Sequence, residues 1–394
     1  MAVGTGYSKV ATSGLVFAYD TGDSFNSYKG EPTTNYWNGN QFSIYNDGAT
    51  NIRNSTDVAP PVPGYEVVKV TANNIGTYGQ CILWNSTYPN NNVATITNSI
   101  YAYLTVGDYV QVGQHWYPWY YGTQKSIAKN QWVRISETYT INEGNSYGNA
   151  ALTYSTNGIA YFAMPQYEYK SHVTPFIGAN QTRSNTQGLL DISGYSNTVE
   201  LANMTYDANA LPTFDGTDDY TEVSSFNVNQ NNEFTLEAII YPNTVSTNQS
   251  IIKKNTSNDN WPIFSMALTG NNLNGYYSSP VYGQCLEGAD GTSGIITANK
   301  FWYVAYSKGA GGYTTMKLYI NGVSVPYNNF LYGSHINSIA TSTRPIHIGR
   351  NLDGPNFIQP FNGRIPVTKV YNRQLTDSEV RDNYFHYKTR FGLA

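Results

Sequence analysis

Met316-Lys317-Leu318-Tyr319-Ile320-Asn321-Gly322-Val323-Ser324-Val325 decides the fold class. Apolar residues alternate with polar or amphipathic ones up to Ile320, Asn-Gly follows, and alternation resumes at Val323. Period-two patterning marks a strand with one buried face, and Asn-Gly between two such runs is the signature of a tight type I′ hairpin. The same rhythm recurs in Gly64–Val70, Trp132–Tyr139 and Phe234–Ile240. Each run is four to eight residues long, bounded by Gly, Asn, Asp or Pro, so the chain reads as all-β.

One segment departs from this rhythm. Thr376 followed three residues later by Glu379 forms a capping box, and Val380, Tyr384 and Tyr387 recur at helical spacing. A short C-terminal helix is predicted, with Gly392 able to follow its end. Composition divides the remainder. Residues 30–183 hold five of the seven Trp, which marks them as a domain of their own. The strand Ser13–Asp20 before that block is too short to fold alone and must pair elsewhere.

The chain has 394 residues, with 36 Tyr, 15 Phe and 7 Trp. Charged residues make up 12%, about half the usual 25%, so the surface is built from neutral Asn, Thr, Ser, Gly and Tyr. A net charge of −4 has the wrong sign for phosphate-driven nucleic-acid binding. No apolar run is long enough for membrane insertion. Cys81 and Cys285, 204 residues apart, are two thiols only, too few for a disulfide framework or a zinc site of the usual spacing, and are read as free. Residues 1–9 lack a secretory pattern. Synthesis in a host cytoplasm, combined with an extracellular-looking surface, is the setting of a virus particle.

Several segments together carry a resemblance. They are Phe214-Asp215-Gly216-Thr217-Asp218-Asp219-Tyr220, Phe234–Ala238, Phe301–Ala305, Lys317–Gly322, Ile348–Arg350, Phe361–Ile365 and Val370–Val380. In order and spacing they resemble the laminin-G-like, concanavalin-A-like lectin/glucanase superfamily over about 180 residues. Gly14–Asp20 and Gly188–Asn197 resemble two halves of that domain's opening, here separated by an insertion. Within the insertion, Pro32–Trp37, Ala163–Glu168 and Thr174–Phe176 resemble the carbohydrate-binding-module-like jelly rolls of phage and bacterial surface proteins. The whole arrangement is similar to virion structural proteins of tailed phages.

The resemblance therefore implies two β-sandwiches and a short C-terminal helix. Residues 1–29 would supply a strand of the lectin domain, 30–183 the inserted jelly roll, and 184–394 the rest of the lectin domain. It implies a non-enzymatic virion protein on the phage particle surface, decorating or stabilising a capsid, tail or fibre. Its partners would be other virion proteins, copies of itself, and cell-surface or environmental glycans for adsorption. A bacterial surface or secreted adhesin is the competing class, and a glycoside hydrolase a third. Hydrolysis needs two carboxylates flanking the bond, and no strand carries Glu-x-Asp-x-x-Glu. Glu233 and Glu237 fit poorly and read as sheet surface.

Three groups of residues are site candidates. The run His115, Trp116, Tyr117, Pro118, Trp119, Tyr120, Tyr121 is the densest aromatic patch. It reads as core, as a protein interface or as a glycan-stacking surface. Tyr276 and Tyr277, with Tyr327 and Tyr332, fall in segments that read as loops, the usual place for ligand contacts. Asp215, Asp218 and Asp219 offer oxygen ligands to calcium, the only candidate cofactor. The alternative is a turn in which Gly216 supplies a permissive backbone.

Overall fold

The structure is a computed structural model that describes residues 10–37, 49–72, 78–83, 94–116, 119–141, 148–154, 158–228, 232–256, 261–278, 285–333, 338–353 and 356–394. It divides into two units, Met1–Glu31 with Asn185–Ala394, and Pro32–Ser184. All paired strands run antiparallel.

The first unit is a sandwich of two eight-stranded sheets. In one sheet the long strand Asn362–Tyr371 pairs with Phe234–Pro242 along one edge. On its other edge it takes Pro212–Asp215 near its start and Leu15–Asp20 near its end. The isolated N-terminal strand thus finds its partner near the far end of the chain. The sheet continues through Trp302–Lys308 into the hairpin Lys317–Ile320 and Val323–Val325, where Leu318 opposes Val325 across Asn321-Gly322. Both turn residues have positive φ, 48° and 74°, the geometry that makes Asn-Gly favourable there.

The second sheet orders its main strands as Val199–Ala202, Tyr220–Val223, Ile346–Ile348, Gln249–Asn255, Pro262–Thr269, Asn272–Ser278, Cys285–Gly291 and Tyr327–Gly333. Between the two sheets lies a core that includes Phe17, Phe234, Leu236, Phe264, Met266, Tyr277, Tyr306 and Ile348.

The helix Asp377–Phe391 closes the unit. Thr376 Oγ1 accepts from the Glu379 amide and the Glu379 carboxylate accepts from the Thr376 amide, so the capping box is complete. Gly392 ends the helix in the left-handed conformation. Val380, Asn383, Tyr384 and Tyr387 are buried against the first sheet's outer face, where they meet Ile239, Tyr303, Tyr319 and Tyr371. Glu237 lies beneath them, 2% exposed, which corrects its reading as sheet surface.

Arg373 grips Glu379 with two hydrogen bonds of 2.9 and 2.6 Å, and this pairing lowers the Glu379 carboxyl to about 2. A carboxyl depressed on folding stabilises above its unfolded value, about 4.3, and that support is lost as pH falls toward 2. The melting-temperature advantage of the native chain over Glu379→Gln should therefore shrink through this window in a pH series of thermal melts.

The second unit packs the five strands Trp132–Ile141, Ala94–Val106, Ile159–Glu168, Val67–Ala72 and Ala49–Ile52 against a sheet built on Tyr78–Leu83, Gly148–Tyr154, Tyr109–Trp116 and Trp119–Tyr121, with Gln124–Lys125 beside it. Trp37, Val68, Val70, Ile100, Leu104, Val112 and Phe162 fill the space between them. At the entry and exit of the unit, Thr33–Thr34 pairs with Thr182–Arg183. Neighbouring termini are what allow a domain to sit between two elements of another at small entropic cost.

Candidate functional site

Alternation along the second sheet sends Phe264, Met266, Leu273 and Tyr277 into the core and their neighbours to the opposite face. On that face one cross-strand row runs Glu200, Glu222, His347, Lys253, Ser265, Tyr276, Gly288 and Phe330. The row is ionic at one end and aromatic at the other.

At the aromatic end, Gly288 stands between Tyr276 and Phe330 and presents no side chain. Their rings close over the gap, edge to face with centroids 5.9 Å apart. A Cβ at Gly288 would lie 2.2 Å from Tyr276 Cδ1. The Tyr276 hydroxyl donates to Asp290 Oδ1 and accepts from Asn274 Nδ2 at 3.1 Å. Asn274 is itself anchored, bonding Thr269 Oγ1 at 3.0 Å and accepting from the Gly291 amide at 3.0 Å. Burial, reinforced by Asp290, raises the Tyr276 phenol far above its ordinary value, so it remains a donor. Beside this pair, Tyr332 meets Trp261 at 5.3 Å. Phe330 is 37% and Tyr332 57% exposed. The result is a set of aromatic faces bordered by fixed amide and carboxylate groups.

At the ionic end, His347 Nε2 lies 3.2 Å from Glu222 Oε2 and Arg350 Nη2 lies 3.5 Å from the same oxygen. Arg350 Cζ sits 3.0 Å from the ring centroid of Tyr220. Burial first, then Arg350, Arg344 and Lys253, push the imidazole down to about 3. His347 is therefore neutral at physiological pH, and its contact with Glu222 is a hydrogen bond rather than an ion pair. Glu200 stands directly opposite Glu222 and accepts from Asn185 Nδ2 at 2.6 Å. No linear motif announces this carboxylate pair, because cross-strand register alone creates it.

The sequence candidates are distributed by this geometry. Tyr276 and Tyr332 share the open face. Tyr277 is in the core, its hydroxyl donating to buried Glu287. Tyr327 bonds the Met316 carbonyl at 2.6 Å. The expectation of loops is corrected here, since both Tyr-rich segments are strands, Asn272–Ser278 and Tyr327–Gly333. Phe330 and Trp261 were missed, although Asn328, Phe330 and Tyr332 show the period of two that betrays a face.

In the aromatic run, the backbone pairs His115 with Tyr120 and Trp116 with Trp119. Tyr117 and Pro118, and the side chains of the rest of the run, lie outside the described residues. So do the side chains of Cys81 and Cys285.

Oxygens of Asp215, Asp218 and Asp219 approach within 4.8 Å of one another. Each carboxylate also fastens a local turn. Asp219 Oδ2 accepts from the Asp215 amide and Thr205 Oγ1, both at 2.8 Å. Asp215 Oδ1 accepts from the Thr217 amide at 2.7 Å and Asp218 Oδ2 from Asn203 Nδ2 at 2.9 Å. Each carboxylate brings one oxygen to the cluster, which supplies three of the six to eight oxygens calcium takes. Adding millimolar calcium should leave the melting temperature unchanged, and a rise would assign the trio to metal.

No curated protein matches the chain. Among solved structures, the binding domain of botulinum neurotoxin serotype D is 16% identical with a TM-score of 0.37, covering 51% of this chain and 49% of that one. The chain thus spans about half the length of that toxin structure. The Ruminococcus gnavus sialidase CBM40 bound to α2,3-sialyllactose is also 16% identical with a TM-score of 0.32, covering 38% of this chain and 80% of that one. Residues 215–381, which build most of the first sandwich, match the family described as the concanavalin A-like lectin/glucanases superfamily, and the first unit is a sandwich of that type.

Proposed function

We propose that the chain is a non-enzymatic structural protein of a phage particle whose first unit binds neutral glycans through the Tyr276, Phe330 and Tyr332 face. The observation that carries the glycan reading is the Gly288 gap, which brings two rings together beside Asn274 and Asp290. Rings of this kind stack on the apolar faces of sugars while the Asp290 carboxylate, held in place through Tyr276, accepts from their hydroxyls. The low charge supports the particle reading, since contacts to other virion proteins would then be uncharged and aromatic. Many copies on one particle turn weak single contacts into strong avidity.

A glycan array probed with the whole chain tests binding, with neutral glycans expected among the hits. Mass spectrometry of purified particles tests location, and absence from every particle fraction would contradict it. Raising salt from 0.1 to 1 M shortens the screening length from about 10 to about 3 Å. The chain should stay on its particle through that change. Hydrolysis is a second reading with one observation in its favour, the opposed Glu200 and Glu222. Release of reducing sugar from a bound glycan, abolished in Glu222→Gln, would replace binding with catalysis.

A further inference from the structure

The second sheet of the first unit ends on the strand Tyr327–Gly333, which pairs along one side with Cys285–Gly291 and with no other strand among the described residues. Its other side is an open ladder edge. Such an edge presents a row of unpaired N–H and C=O groups, and folds usually blunt it with a short strand, a bulge, a proline, a charge or a covering loop. The other edges of the unit's two large sheets are blunted in this way. Thr205–Tyr206 and Val323–Val325 have two and three residues, and Pro326 follows the second. Val199–Ala202 has four residues and carries Glu200. Leu15–Asp20 is covered, since the Ala18 amide donates to Asp191 Oδ1 and its carbonyl accepts from the Ile192 amide. Tyr327–Gly333 has seven residues and no register shift against its neighbour. Residues 323–334 include no Asp, Glu, Lys or Arg. Asn328 to Gly333 are all exposed, Leu331 by 49% and Tyr332 by 57%.

The phase of the hydrogen bonds identifies which groups face outward. The Thr292 amide donates to the Pro326 carbonyl at 3.2 Å. Thr292 and Pro326 are thus a hydrogen-bonded pair, one step beyond the pair of Gly291 and Tyr327. Hydrogen-bonded and non-hydrogen-bonded pairs alternate along an antiparallel ladder. Asn328, Phe330 and Tyr332 therefore turn their backbone groups toward Cys285–Gly291, and Tyr327, Asn329, Leu331 and Gly333 turn theirs to the open edge.

We propose that this edge pairs with the same edge of a second copy of the chain, antiparallel about a twofold axis at Phe330, and joins the two sheets into one. That register sets Tyr327 opposite Gly333 of the second copy and Asn329 opposite Leu331 of the second copy. Every outward residue then meets an outward residue, and each pair exchanges two hydrogen bonds. An axis at Asn329 or Leu331 would carry Gly333 or Tyr327 past the end of the opposing strand. Phe330 faces its own copy in a non-hydrogen-bonded pair, where side chains approach most closely and aromatic pairs are stabilising. A twofold axis sets a side chain against its like, and like charges directly opposite repel. A strand without charges meets that requirement, which favours a second copy over a charged partner strand. An isologous contact of this kind closes at two copies.

Sedimentation equilibrium of the whole chain across about a hundredfold range of concentration should show monomer passing into dimer. Leu331→Pro removes an outward N–H and spares the ladder to Cys285–Gly291, because proline is accepted on edge strands where its nitrogen faces solvent. It should weaken the dimer roughly tenfold or more while the circular dichroism stays native. Phe330→Lys and Phe330→Glu should each be monomeric alone, and their equimolar mixture should form a mixed dimer, since the axis sets position 330 against itself. The proposal is overturned by a native chain that is monomeric throughout or assembles to any other size. It is equally overturned by a dimer that Leu331→Pro leaves as tight as before, or by an equimolar mixture that stays monomeric. The pairing is read from mass and the glycan face from sugar affinity, so either can fail while the other stands.

Discussion

Glu237→Leu should destabilise the first unit by about 3–5 kcal/mol, the usual cost of leaving a buried charge without its partner. Glu237 is 2% and Lys369 4% exposed, and Lys369 Nζ lies 3.9 Å from Glu237 Oε2 and 4.5 Å from the ring centroid of Tyr387 on the helix. The carboxylate also accepts from the Tyr303 hydroxyl at 2.5 Å and from Asn383 Nδ2 at 2.9 and 3.0 Å. Burial pushes the Glu237 carboxyl up and the Lys369 ammonium down, and each group counters the other's shift. Leucine at 237 therefore leaves an ammonium and a phenol without their partner, together with one N–H of Asn383, whose other N–H stays on the Tyr371 hydroxyl. For a unit of this size each kcal/mol moves the melting temperature by about 2–4 °C, so calorimetry should record a drop of about 6–20 °C. Glu237→Leu/Lys369→Met should recover more than half of the loss, because an apolar pair satisfies the same space without charge. A single-variant drop no larger than that of an exposed substitution, about 0.5 kcal/mol, would mean that the network contributes little to holding the helix.

Gly288→Ala is the second large effect, and it falls on function. The added methyl occupies the position now held by the Tyr276 ring and lies 3.0 Å from the Gly275 carbonyl oxygen. Backbone cannot yield cheaply within a paired strand, so the ring must turn out of its place. It then gives up its hydroxyl bonds to Asp290 and Asn274 and its contact with Phe330. We expect about 1–3 kcal/mol of lost stability from overpacking, with glycan binding reduced at least tenfold in a titration. A variant that binds normally would show that the ordered Tyr276–Phe330 pair is not where ligand sits.

These two residues also show how far the sequence could be read. Period two put Glu237 on the face opposite Leu236 and Ala238, but alternation says only that a face lies away from the core. It does not say what covers that face. The cover was legible separately, as the apolar stripe Val380, Tyr384 and Tyr387, and Asn383 beside that stripe supplies the amide that Glu237 needs. The strands of the site were harder to see. Gly275 and Gly288 look like strand breakers, yet each makes room for a ring: Tyr306 against Gly275 and Tyr276 against Gly288. Rows such as Glu200, Glu222, His347 and Lys253 exist only through cross-strand register, which local sequence does not encode.

The central claim is that Tyr276, Phe330 and Tyr332 form the face through which the first unit takes its ligand. The most direct measurement is isothermal titration of the strongest array glycan into the native chain and into Phe330→Ala/Tyr332→Ala, whose altered side chains are exposed enough to leave the fold intact. Each lost stacking ring is worth roughly 1 kcal/mol, so the double variant should bind about tenfold to a hundredfold more weakly at an unchanged melting temperature. Equal affinity in the two proteins would contradict the assignment.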